Sequence, residues 1–420
     1  MAASTLGGDL IYTAWIKGSW TMGLAGAALA VALLVALVVF DLFVPFHHDM
    51  KDHVFKPGQC EGGKLYYEGD LPILQLDGDH PFLAGKAQGY LLGEAIRSIT
   101  QRFTLSPHIG PRADQIPEVL AKIREKIPAD SIAELKGVVE GYNKWVSEQR
   151  WPRPKKMTVD EIVLFHLTPD AAHLKMGGGP FLRQQAVRMG CTSLVGREKT
   201  DIVFVRTMDW PSLNVLGKYS LIKCTKGRVE VSIPGMVGTL TGMRDGFCLA
   251  MNVCPSSEAV VDMSGMPTLF YNRLCLESCR NLEDFALFRE QHRPLAPYHL
   301  TVADSNGAES VHFYQGTPHV IRQLGADCPL ATFNSRLDKP RIDQHYTRLR
   351  QRTFDAFCRN GQKTMEAAVA LPCINNYETI HAVVMKPGAR VMKVAFDNGF
   401  SGDAPLKELN QRLFHSLPVC

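Results

Sequence analysis

The residues best suited to do chemistry are Gly190-Cys191-Thr192-Ser193, followed at a short interval by Arg206-Thr207-Met208-Asp209-Trp210. Both pieces read as strands, and the polar stretch GREKTD between them has the length of a hairpin turn. A hairpin brings Arg206 and Asp209 back alongside Cys191. The thiolate is the reactive form of cysteine, and a free cysteine titrates at about pH 8.5. Arg206 would favour the anion, and Asp209 could hold an ammonium group beside the sulfur. Such an ammonium arises if the chain is cut before Cys191, because a new α-amino group titrates at about 7.7–8.0. That group can take the thiol proton and later give it to a leaving amine. Gly190 leaves its own carbonyl open to attack and tolerates a strained conformation.

Three further stretches accompany this pair. PGMVGTLTGMRDGFCLAMN (234–252) contains the strand-like run GFCLAMN and ends in Asn252, and ATFNSRLDKPR (331–341) contains Asn334. LPILQLDGDHPFLAGKAQGYLLGEAI (71–96) opens the globular part. Together with the Gly-Cys-Thr-Ser and Arg-x-x-Asp-Trp motifs, these resemble the N-terminal-nucleophile (Ntn) hydrolases over roughly residues 64–400. The likeness is greatest to the isopenicillin N acyltransferase (peptidase C45) branch and more distant to acid ceramidase and N-acylethanolamine acid amidase. The resemblance implies autocleavage between Gly190 and Cys191, with Cys191 as nucleophile and Arg206 and Asp209 orienting it. It implies Asn334, and with it Asn252, at the oxyanion hole, and a later basic residue among Arg341, Arg348 and Arg350, of which the spacing favours Arg348. Ser335 stands where related chains often carry His or Tyr after that asparagine. No metal or organic cofactor is implied.

The elements that must position these residues change character at the cysteine. Before it the pattern is mostly helical: a strand at LPILQLDG, a glycine-marked turn into an amphipathic helix, then helices at 117–125, 132–149 and 159–173. After it come strand-like runs (CTSLVG, DIVFVRTMDW, YSLIKCT, RVEVSIPG, GFCLAMN), helices at 268–279 and 282–292, and more strands (HLTVADS, ESVHFYQG, HVIRQL). A helix at 343–360 precedes two last strands, TIHAVVMKP and RVMKVAF. This order fits an α+β fold, with two antiparallel sheets between helical layers, better than alternating βαβ units. In Ntn terms that is an αββα sandwich. His166, His173 and His381 read as structural, His381 as a satisfied core or edge histidine. The methionines around Cys191 read as core packing.

From Met22 to Phe40 no residue is charged, a length that can cross a bilayer. Trp15 and Trp20 precede it, Lys17 favours an N-in orientation, and Asp41, Asp49 and Asp52 follow. An uncleaved signal anchor is preferred to a cleaved signal peptide, whose apolar core is usually shorter. The expected organisation is a lead (1–21), a transmembrane signal anchor (22–46), a linker (47–63), a helical propeptide-derived subunit (64–190) and a catalytic subunit (191–420). The two self-cleaved chains should stay associated, and the single-pass protein should hold its body outside the cytoplasm. His47, His48, Asp49, Asp52 and His53 read as a solvated stalk rather than a metal site. The 11 cysteines, an odd count, leave at least one unpaired, and none has zinc-finger spacing. Cys275 and Cys279 should be neighbours on one helix face. The net charge of +4 is spread along the chain without a basic, aromatic-studded run, which argues against nucleic acid. The expected substrate is a small-molecule or lipid N-acyl amide, hydrolysed through an acyl-enzyme on Cys191. The alternatives are an acyltransferase using the same site and a non-enzymatic membrane-anchored binding protein.

Overall fold

The computed structural model describes residues 29, 31–32, 54–103, 117–150, 153–170, 173, 190–210, 215–254, 261–314, 320–326, 328–335, 345–360, 364–371, 373–376, 378–396 and 406–410. The chain divides into two compact units, Met1–Val54 and Phe55–Cys420. In the first, Leu29, Val31 and Ala32 are helical; the rest of the expected anchor at 22–46, and the cluster from His47 to His53, lie outside the described residues. Among the described residues no helix is long and apolar enough to cross a membrane.

The second unit is mixed α/β and is built on two sheets. Its strands are β1 (Gly58–Cys60), β2 (Gly63–Glu68), β3 (Leu71–Leu76), β4 (Gly190–Glu198), β5 (Asp201–Asp209), β6 (Leu221–Thr225), β7 (Arg228–Ser232) and β8 (Thr241–Arg244). They continue with β9 (Phe247–Val253), β10 (Tyr298–Asp304), β11 (Ala308–Phe313), β12 (Val320–Gln323), β13 (Leu330–Thr332), β14 (Thr379–Lys386), β15 (Val391–Phe396) and β16 (Lys407–Glu408). Ten of them form one sheet in the order β1-β2-β3-β6-β7-β8-β9-β10-β11-β12, and six form the other, β13-β4-β5-β14-β15-β16. Every pairing is antiparallel except β3 with β6. The hairpin β1–β2 begins inside the stretch read as linker.

The helices are α1 (Pro81–Leu91), α2 (Gly93–Phe103), α3 (Pro117–Arg124), α4 (Ala129–Glu148), α5 (Val159–His166), α6 (Val215–Lys218), α7 (Thr268–Ser278), α8 (Leu282–Gln291) and α9 (His345–Arg359). A 3-10 turn spans Met365–Ala370. Thr158 and Glu161 start α5 as a reciprocal capping box, each side chain bonding the other's backbone N–H. That helix ends at His166, earlier than expected, and turns run on to Asp170.

Alternation along the strands sorts the side chains into layers. One apolar cluster fills the space between the sheets, joining Ile73, Val231, Met243 and Ala250 of the larger sheet to Phe204, Val383, Met385 and Val394 of the smaller. A second joins the far face of the smaller sheet (Leu194, Val205, Val384) to Phe354 and Phe357 of α9 and to the 3-10 turn. On the far face of the larger sheet, Tyr271 of α7 packs edge-on against Tyr298 and Phe313. The order of layers is therefore helix, sheet, sheet, helix.

The stretch read as a glycine-marked turn is instead helical. Gly85 and Gly89 of α1 face Gly137 and Gly141 of α4, and a Cβ added at any of the four would come within 1.9–2.1 Å of a carbonyl oxygen on the other helix. The two helices thus meet backbone to backbone.

Candidate active site

The hairpin of β4 and β5 forms as the sequence implied, pairing Gly190 with Asp209, Cys191 with Met208 and Ser193 with Arg206. Strand geometry then separates the expected partners. Residues an odd number apart point to opposite faces, so Arg206 and Asp209 diverge.

Arg206 points into the space between the sheets on the same side as Cys191. It is fully buried, and its Nη2 donates to Cys191 Sγ at 3.3 Å. Its other donors go to neutral acceptors: Thr207 O at 2.9 Å, Asn252 Oδ1 at 3.4 Å and Thr241 Oγ1 at 3.4 Å. Among the described residues no carboxylate forms an ion pair with it. A buried cation without an anion is costly. Among the described residues the group that Arg206 hydrogen-bonds and that can become an anion is the thiol of Cys191, while its charge also acts at longer range on Asp209. Asn252, on β9, also accepts from Ser193 Oγ at 2.7 Å and donates to Thr332 O at 3.0 Å.

Asp209 lies on the opposite face, under α9. One carboxylate oxygen accepts from Thr379 Oγ1 at 2.7 Å, and the other lies 3.8 Å from Arg350 Nη1. Burial pushes the Asp209 carboxyl up from its ordinary range, with the Arg350 charge and the Thr379 hydroxyl opposing. This pair explains the glycine at 190. A Cβ there would meet Asp209 Oδ2 at 2.7 Å and Arg350 Nη2 at 3.0 Å. Gly190 is not among the glycines with positive φ, so what it contributes is room for these two side-chain ends, which a Cβ would force to shift, rather than backbone freedom.

Arg350 takes the place expected for Arg348. Its Nη1 donates to Cys191 O at 2.8 Å and Thr192 Oγ1 at 3.1 Å, and its Nη2 to Asn334 Oδ1 at 3.1 Å. Arg348 sits on the exposed side of α9, and Arg341 lies outside the described residues. The signal was present in the helix period: Phe354 and Phe357 mark the inward face, and stepping back three or four residues gives Arg350 and Thr347, both buried.

Asn334 closes the ring. Its Oδ1 accepts from the Cys191 backbone N–H at 2.7 Å, and its Nδ2 donates to Val253 O at 2.8 Å. In the uncut chain Asn334 therefore grips the nitrogen that cleavage would convert to an amine. Sequence reasoning gave no role to Thr241 or Thr379, read His381 as structural, and named Ser193 only as part of the Gly-Cys-Thr-Ser motif. Of these Ser193 was accessible, since it shares a strand face with Cys191. His166 bonds elsewhere, accepting from the Val237 N–H at 2.7 Å through Nε2, and His173 is buried.

The family described as acyl-coenzyme A:6-aminopenicillanic acid acyl-transferase matches residues 195–328, a stretch that holds Arg206, Asp209 and Asn252. The resemblance to the Ntn superfamily holds. A solved structure of a Caenorhabditis elegans N-acylethanolamine-hydrolyzing acid amidase ortholog is similar at 17% identity, with a TM-score of 0.41, over 47% of this chain and 93% of that one. No curated protein matches the chain. The matched family is one of acyl-transferring enzymes, so the chain's kinship is enzymatic.

Proposed function

We propose that this protein is an autoprocessing cysteine amidohydrolase of the Ntn type. One observation carries the reading: a fully buried guanidinium, Arg206, lacks a carboxylate partner among the described residues and donates to Cys191 Sγ at 3.3 Å. In processing, Sγ gives up its proton and attacks the Gly190 carbonyl carbon, the peptide C–N bond breaks, and the nitrogen leaves as an amine carrying that proton. Water then hydrolyses the Gly190 thioester, freeing the thiol beside its own α-amino group. In turnover that amine takes the thiol proton and sulfur attacks the amide carbonyl of the substrate. The proton goes to the departing amine, and water releases the acyl group.

The surrounding residues suit these steps. Asn334 Oδ1 holds the nitrogen of Cys191. Its Nδ2, now on Val253 O, is the donor an oxyanion would use. Arg350 fixes the Cys191 carbonyl, and Asp209 lies beside Gly190 to receive the new ammonium. Arg206 and Arg350 offset negative charge from two sides.

The substrate class is an N-acylated amine, and the charge-free run at 22–40 supports an acyl lipid presented at a membrane, with the body extracytoplasmic. Retention through alkaline carbonate extraction tests the anchor, and release of a soluble protein lacking residues 1–40 would count against it. N-terminal sequencing of active protein tests the core claim. A chain beginning Cys-Thr-Ser is expected, and active protein made only of uncut chain would overturn it. Cys191→Ala should abolish both cutting and turnover. An acyltransferase would use the same residues, and a product assay with a competing amine separates the two. The ring around Cys191 argues against a binding protein without activity.

A further inference from the structure

One extra residue lets β14 serve both faces of the smaller sheet. Its register against β5 pairs Thr379 with Asp209 and His381 with Met208, so Ile380 is the additional residue of a bulge. In a regular strand Thr379 and His381, two apart, would share a face; the bulge sends them to opposite ones. Thr379 bonds Asp209 on the helix side. His381 enters the layer between the sheets, where its Nε2 lies 3.3 Å from Thr241 Oγ1 on β8. That same hydroxyl lies 3.4 Å from Arg206 Nε.

We propose that His381 is a positioning residue for the reaction at Cys191, holding Thr241 so that Arg206 keeps its far end on the sulfur; this rests on Cys191 being the nucleophile. The logic is one of donors and acceptors. Arg206 has only donors, so its Nε–H spends one lone pair of the Thr241 oxygen. The Thr241 proton then needs an acceptor, and Nε2 of a neutral imidazole provides it. The ring carries its own proton on Nδ1, which meets no hydrogen-bonding group among the described residues. Burial, with the Arg206 charge adding to it, holds His381 neutral by pushing its pKa well below the ordinary histidine range. A histidine charged at this point would offer Thr241 a second donor and repel Arg206.

The test reads the position of the guanidinium directly. A cation beside a thiolate raises its rate with anionic iodoacetate relative to neutral iodoacetamide, so the ratio of the two rates at Cys191 reports Arg206. It is measured on the active protein produced from the whole sequence, with both cut chains present. Arg206→Gln, the reference, should lower the ratio. His381→Phe should lower it about tenfold, the scale of one lost hydrogen bond, and lower kcat with KM little changed. His381→Gln, which keeps an acceptor for Thr241, should restore both. A histidine that only fills space would leave the ratio unchanged while lowering thermal stability. If His381→Phe does not fold, Thr241→Val breaks the same bridge and carries the test. An unchanged ratio in the His381 or Thr241 variants, with Arg206→Gln lowering it, overturns the proposal and spares the site. An unchanged ratio and undiminished activity in Arg206→Gln overturn the reading of the site itself.

Discussion

At the scale of residues, Cys191 is held at three atoms by groups from separate parts of the chain: sulfur by Arg206, nitrogen by Asn334 and carbonyl oxygen by Arg350. Arg350→Gln should slow processing and turnover by about 10²–10³, on the scale of a lost preorganised donor. Arg348→Gln should cost far less, and a reversal of that order would return Arg348 to the site. Asn334 offers a finer test because the two ends of its amide have different duties. Asn334→Ala should lower thiol alkylation by about tenfold through loss of the acceptor on nitrogen, and turnover further still. If alkylation stays intact while kcat falls, Asn334 acts on the oxyanion alone. Asp209, expected beside the sulfur, lies on the opposite strand face; the contacts of Arg206 and Asn334 with Cys191 were legible, the first from the hairpin and the second from the resemblance. The side chains that hold those partners were not. Thr241, Thr379 and His381 are ordinary strand residues whose meaning depends on a bulge and on a second sheet.

At the scale of elements, the hairpin, most strands and the helices on either side of Cys191 were legible from period. The three-residue strands β1 and β13 were not, because so short a run carries no repeat to detect. Helix α1 was misread as a turn for another reason. Gly85 and Gly89 look like helix breakers one at a time, and mark close helix approach only when paired with Gly137 and Gly141 of α4. Gly89→Ala should therefore destabilise the protein by about 1–3 kcal/mol through overpacking, despite alanine's better helix propensity. Gly307→Ala is the control: its added Cβ meets nothing closer than 3.4 Å. Equal melting temperatures for the two variants would refute the interlock.

At the scale of the whole molecule, the part before Cys191 grips the part after it at four buried points. Gln88 donates to Met236 O, His166 accepts from Val237 N–H, Asp170 accepts from Thr268, and Glu134 pairs with Arg273 at 2.5 Å. Two of these groups titrate in opposite senses. Burial raises Asp170 to about 7, so the folded state keeps a proton that the unfolded state has lost. Its contribution is full at low pH and is lost as pH rises from the ordinary carboxylate range to about 7. Burial lowers His166 to about 4, so its contribution is present above the ordinary histidine pKa and is lost as pH falls toward 4. Between roughly pH 4 and 6.5 the two slopes, each about 1.4 kcal/mol per pH unit, oppose and nearly cancel. Asp170→Asn should unmask a stability that rises with pH across that window. His166→Asn should unmask one that falls. Denaturant titrations at several pH values measure both, and matching slopes in the two variants would sink the assignment.

Arg273 gives the grip a further consequence. Buried among Glu134, Glu277 and the Val237 carbonyl, it takes its most enclosed counter-charge from the segment ahead of Cys191. Produced from two genes split at that bond, residues 191–420 made alone would bury this guanidinium short of that partner, at about 3–5 kcal/mol. A two-gene version should therefore yield folded protein when both polypeptides are synthesised together and insoluble material when the second is made by itself.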